Sequence, residues 1–133
     1  MIEASDMVPL LVEASPQFRS AWLEFQAEWS EDPSPPHYEL LADFVRHLSS
    51  VLASGDEETL KRVFAVVERL HVEGTPYVRQ AATVGILEDL QNVHLHESGT
   101  TPEQFERFLL PVSAKYWRKV QDFWATGKII TDD

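Results

Sequence analysis

Residues 76–92 read PYVRQAATVGILEDLQN, and the apolar residues in this run decide the fold. Tyr77, Val78, Ala81, Ala82, Val84, Gly85, Ile86, Leu87 and Leu90 keep helical spacing yet nearly encircle the axis, leaving no broad polar face for water. Such a helix is central and buried, and Ala81, Ala82 and Gly85 let its neighbours come close. Thr75-Pro76 marks its start, a capping side chain followed by a proline whose missing N–H is not needed in the first turn.

The same punctuation recurs on both sides. Ser15-Pro16, Ser34-Pro35 and Thr101-Pro102 are start signals, Gln104 completes a capping box with Thr101, and Asp56-Glu57-Glu58 puts negative charge where a helix dipole favours it. Gly55, Gly74, Gly99 and Gly127 follow the apolar runs as stops that can adopt the left-handed conformation. Between the marks the spacing predicts helices over about 16–29, 36–53, 57–73, 102–110 and 112–126, with a shorter one near 6–13 whose start Pro9 obscures. No run alternates with a period of two. The expected class is all-α, a single domain over 1–133 with about six to seven helices in antiparallel hairpins, either a bundle or a HEAT-like stack. Residues 30–36, with Pro33, Pro35 and Pro36, form a stiff, exposed connection suited to contact.

At 133 residues the chain suits one core, and 44% hydrophobic with 25% charged residues excludes a disordered or fibrous chain. With no cysteine there is no disulfide framework and no thiol nucleophile. The beginning lacks a basic leader, and no segment approaches the roughly 18 apolar residues of a membrane span. A cytoplasmic location is the expectation. Net charge is −11, and its distribution is uneven. Residues 1–60 hold twelve carboxylates against Arg19 and Arg46 alone, whereas 61–133 hold ten against nine bases. That acidity repels phosphate and argues against direct nucleic-acid binding, while it would steer a basic protein toward the front half.

Catalytic motifs are missing: there is no Gly-x-Ser-x-Gly, no Ser-x-x-Lys and no glycine-rich phosphate loop, which points away from an enzyme. His94 and His96 with Glu97 are the densest potential metal ligands. Two apart on a helix they diverge by about 200°, so no metal or other cofactor is expected, and a solvated helix end is the simpler reading. Glu68-x-x-His71 matches half of a di-iron element whose second copy the sequence lacks. Asp43 and His47 suit a surface pair. Trp22, Trp29, Trp117 and Trp124 lie on apolar stripes and are expected in the core, with one or two of them partly exposed at an interface. Glu88 and Asp89 oppose the dipole at the end of the central helix, which predicts pairing with Arg79, Arg69 or Arg107 inside the fold, the alternative being a cationic ligand that they face.

The run from Tyr77 to Asn92, with Phe105, Leu109, Trp117 and the ending Phe123-Trp124-Ala125-Thr126-Gly127, resembles an uncharacterised bacterial family of short helical domains. The likeness is carried by the C-terminal half. It implies a helical fold and a place among immunity proteins of toxin systems, with no catalytic residue to carry over. Joined to the charge pattern, it leads to an acidic protein that neutralises a toxin domain by occluding its basic active-site cleft. The expected contact residues are Glu24, Glu28, Glu31, Asp32, Glu39 and Asp43, with Trp29 or Tyr38 as aromatic anchor. The alternative is a helical adaptor with a peptide groove between hairpins.

Overall fold

The computed structural model describes residues 1–131; Asp132 and Asp133 lie outside the described residues. Seven α-helices follow one another, and no strand is present among the described residues. They are α1 (Ala4–Ala14), α2 (Arg19–Glu28), α3 (His37–Ala53), α4 (Glu57–Glu73), α5 (Pro76–Gln80), α6 (Glu88–Gln91) and α7 (Pro111–Thr126). Between α5 and α6 the chain does not leave the helix axis: Ala81–Leu87 is π-helical and joins them into one rod over 76–91.

The rod is buried as its composition demands. Val78, Ala81, Ala82, Gly85, Ile86, Leu87 and Leu90 are enclosed, and the π-helical stretch packs on α3, α4 and α7. Gly85 faces α3 so closely that a Cβ there would lie 2.6 Å from Leu41 Cδ1 and 3.2 Å from the Tyr38 ring. α4 is a second spine, touching α1, α3, α5 and α7 and burying Leu60, Val63, Phe64, Val67 and Leu70. The buried residues from Ile2 to Trp117 form one hydrophobic cluster.

Several start signals act as read. Thr75 Oγ1 accepts from Val78 N–H at 3.3 Å, Asp56 accepts from Thr59 N–H at 3.2 Å, and Gln104 Oε1 closes the capping box on Thr101 N–H at 2.8 Å. Others are redirected. Ser15 caps nothing, because its hydroxyl meets His47 Nε2 at 2.7 Å and ties the end of α1 to α3. Ser34-Pro35 stays in the connection, where Ser34 N–H donates to Asp32 at 2.8 Å, and α3 begins at His37. Gly55, Gly99 and Gly127 have positive φ, whereas Gly74 is extended at φ −78° and ψ 154°. Gly74 serves close approach instead: Ile2 bridges it, donating to Glu73 carbonyl at 2.8 Å and accepting from Thr75 N–H at 3.0 Å. Residues 102–108 form a 3-10 helix rather than an α-helix.

Candidate functional site

α2 carries the stripe Phe18, Trp22, Phe25, Trp29, but only its first member reaches the core. Phe18 meets Phe44 edge-on at 5.0 Å and is buried, while α2 itself contains no fully buried residue. Trp22, Phe25 and Trp29 remain half-buried along a cleft of about 550 Å³ between α1, α2 and the 30–36 connection. Val8 and Pro9 supply its α1 wall, Pro35 and His37 its far end. Phe25 and His37 lie 6.0 Å apart, their rings tilted by 35°. Asp32 stands in the wall, its Oδ1 accepting the Ser34 N–H. No Lys or Arg lines the cleft. Two tryptophans, a phenylalanine and a carboxylate around one opening form a surface that binds flat or cationic groups.

The acidic residues expected at this front divide into two groups. Glu24 and Glu28 on α2, Glu31 and Asp32 after it, and Glu39 in the first turn of α3 are exposed, and no ion pair among the described residues engages any of them. Asp43 does not belong with them. Arg46 holds it at 2.8 Å and also holds Glu97 at 2.9 Å, so its charge is met within the fold and not by His47. Elsewhere in the front half, Asp6 and Asp56 cap helices, Glu57 pairs with Arg107 at 3.0 Å and Glu58 with Lys61 at 3.6 Å. These five leave open negative charge on and around α2, and Glu13 of α1 and Glu103 are likewise exposed and outside every ion pair among the described residues. Of the two aromatic anchors, Trp29 lines the cleft and Tyr38 does not. Tyr38 lies instead over Gly85, and burial, then the neighbouring Tyr77, pushes its hydroxyl above the ordinary tyrosine range.

Trp117 is buried as expected, its Nε1–H donating to Glu106 at 3.1 Å. The other three tryptophans stay partly exposed, more than the one or two expected. Trp22 and Trp29 are only half covered, and burial along α7 stops at Val120, leaving Phe123 37% and Trp124 60% exposed. The available signal for Trp22 and Phe25 was the company they keep: Arg19, Ser20, Glu24, Gln26 and Glu28 make up half of the ten residues of α2, and the helix cannot sink its two rings fully and keep those sides wet.

The remaining polar groups are structural. Glu68 of α4 reaches the start of α7, accepting from Val112 N–H at 3.0 Å, Ser113 N–H at 2.8 Å and Ser113 Oγ at 2.8 Å. Burial pushes its carboxyl up, yet these hydrogen bonds outweigh it and hold Glu68 below the ordinary range. His71 is buried between Val67 carbonyl at 3.0 Å and Thr83 Oγ1 at 3.1 Å and stacks on Tyr116; burial lowers its pKa. Half a metal motif is thus a cap and a core imidazole. Ser15 and His47 are placed like a nucleophile and its base, but Ser15 is fully enclosed and out of reach of a substrate. His96 is no solvated helix end: it is buried, bonded to Thr100 Oγ1 at 2.8 Å and Leu90 carbonyl at 2.7 Å, with His94 exposed and apart. Among the described residues no group of three His, Asp or Glu could hold a metal ion.

Glu88 and Asp89 do not find the arginines expected of them. Arg69 pairs with Glu73 at 3.0 Å, Arg107 with Glu57, and Arg79 keeps a buried Nε with no hydrogen-bond partner. Burial therefore raises the Glu88 carboxyl, and burial with the adjacent Glu88 raises Asp89 to about 6, against a partial offset from Arg46.

No curated protein and no solved structure matches this chain. The family found runs through the acidic front as well as the C-terminal half. Residues 8–125 match the family described as a domain of unknown function (DUF7674), and the chain belongs to it.

Proposed function

We propose that this protein is an acidic binding protein of the immunity type, which neutralises a bacterial toxin domain by covering its basic active-site cleft. The observation that carries this reading is the coincidence, on α2 and the segments that flank it, of a half-covered aromatic cleft with carboxylates left out of ion pairs among the described residues. Trp29 and Asp32 belong to the cleft, and Glu24, Glu28, Glu31 and Glu39 extend the negative surface around α2 and the start of α3. Partly desolvated aromatic residues surrounded by charge are the usual make-up of a binding hot spot, and the acidic field adds steering toward a cationic partner. Occlusion requires geometry and charge but no chemistry at the site, in keeping with a reactive-looking Ser15 that is sealed inside.

The test uses the product of the adjacent reading frame as the partner. Co-expression of this protein should rescue cells from that product, and the purified pair should associate at a rate that falls steeply with added salt. The triple reversal Glu28→Lys, Glu31→Lys, Asp32→Lys should slow association about tenfold or more while leaving the fold intact. Absence of rescue, or association indifferent to salt, overturns the proposal.

A further inference from the structure

We infer that the cleft between α1 and α2 is a receptor for one guanidinium side chain, so that a single arginine of the partner anchors the complex there. The inference deepens the proposed function and rests on its docking surface. Three observations carry it. Trp22, Phe25 and Trp29 line the opening half-buried, giving π-surface on which a planar cation stacks. Asp32 stands in the same wall with Oδ1 bonded to Ser34 N–H, which fixes the carboxylate and leaves Oδ2 for a charge-assisted hydrogen bond. Among the described residues no Lys or Arg lines the cleft, where the one basic side chain is the imidazole of His37 against Phe25, and no ion pair engages the Asp32 carboxylate.

Size and surroundings favour one long side chain over a helix or a flat apolar patch. A space of about 550 Å³ is in the range of small-ligand pockets, and Asp32 is the one carboxylate among the described residues that line it. An apolar anchor would fill the rings and leave Asp32 facing it unpaired. A guanidinium uses both, stacking its plane and directing its N–H fork at the carboxylate. The three prolines of 30–36 hold this wall in place before binding, so little chain entropy is lost when the cation enters.

The experiment titrates the intact protein, at low salt, with the peptide Gly-Gly-Arg-Gly-Gly and with its uncharged citrulline counterpart, following the four tryptophan indole N–H signals by NMR. Trp117 and Trp124 are internal controls, since neither lines the cleft. The expected result is saturable movement of the Trp22 and Trp29 signals with the arginine peptide, at least tenfold weaker with citrulline and about tenfold weaker in Asp32→Asn, with Glu103→Gln, exposed and away from the cleft, unchanged. Equal response to both peptides, response confined to Trp117 or Trp124, no response at all, or an indifferent Asp32→Asn overturns the inference. Because α2 has no fully buried residue, Trp29→Leu should fold, as circular dichroism will verify, and it should abolish the response; a folded Trp29→Leu that still responds also overturns it. The two proposals fail separately. A salt-dependent complex with the adjacent-frame product and no indole response removes the anchor alone, whereas an indole response without a complex removes the docking partner alone.

Discussion

Removing the Glu68 carboxylate is the sharpest test of how this fold is held together, because one side chain on α4 satisfies the start of α7 from outside that helix. Glu68→Ala deletes the acceptor for Val112 N–H at 3.0 Å, Ser113 N–H at 2.8 Å and the fully buried Ser113 Oγ at 2.8 Å. A hydrogen bond to a charged acceptor contributes about 1.5–3 kcal/mol, and a helix N-cap about 1 kcal/mol. Water can reach part of this half-buried site, so the three bonds together should be worth about 2–4 kcal/mol. Glu68→Gln keeps one oxygen acceptor but turns an NH2 toward the donors and loses the interaction with the helix dipole, at about 1–2 kcal/mol. The assay is urea unfolding followed by tryptophan fluorescence and far-ultraviolet circular dichroism, with an unchanged slope and a lowered midpoint. Acid gives an independent check. The folded carboxyl is held below its ordinary value, so its stabilisation is complete above the unfolded pKa of about 4.3 and is lost as pH falls through the folded one. The difference between wild type and Glu68→Ala should therefore shrink below pH ~4. A cost under about 0.5 kcal/mol, or a difference independent of pH, would refute the reasoning.

Gly74→Ala should destabilise by about 2–3 kcal/mol in thermal unfolding, since its Cβ would lie 2.3 Å from the Leu70 carbonyl oxygen and 2.7 Å from Cγ1 of buried Val78, neither a flexible tip. Gly55→Ala, with open space around it and φ of 81°, should cost only the left-handed backbone, about 1 kcal/mol; equal effects at the two positions would discredit the crowding at Gly74. Asp89→Asn should stabilise the protein by about 1–2 kcal/mol at pH 7.5, because a folded pKa near 6 means that ionising the wild-type carboxyl in the folded state opposes folding. The raised pKa makes wild-type stability fall as pH rises from about 4 to above 6, so the gain should vanish near pH 4; a gain that persists there would show that charge is not its cause.

Apolar spacing and punctuation were enough to read an all-α chain, the central position of 76–91 and the caps at Thr75, Asp56 and Thr101. These are local properties, decided by side chains within a turn of one another. What escaped depends on partners distant in sequence. Ser15 looks like a cap until His47, 32 residues away, takes its hydroxyl. Glu68 reads as half of a metal motif until α7 arrives, 45 residues on, with two N–H groups to satisfy. Of the arginines expected to meet Glu88 and Asp89, Arg69 pairs with Glu73 and Arg107 with Glu57, while Arg79 keeps its Nε buried without a hydrogen-bond partner. At the candidate site, Trp29 and Asp32 were legible from aromatic and acidic character in one stretch. The cleft itself was not, because its other wall comes from α1, and whether an aromatic stripe is core or surface depends on what stands opposite.

The π-helical stretch Ala81–Leu87 has a consequence for chain length. Each π turn closes over one residue more than an α turn, so the wide stretch sets the rotation at which α6 emerges. A chain one residue shorter between 81 and 87 would close the same rotation with ordinary α turns, so α6 would emerge at nearly the same angle. The same deletion in α5, with the wide turn kept, would swing every later side chain through about 100°: Leu90 would leave the interior, and Gln91, whose amide holds the Trp117 carbonyl at 2.9 Å, would let go of α7. The rod therefore works as a keyed shaft whose two ends are locked at one relative angle, and its wide middle is the one place in it where a residue can be lost without turning the key.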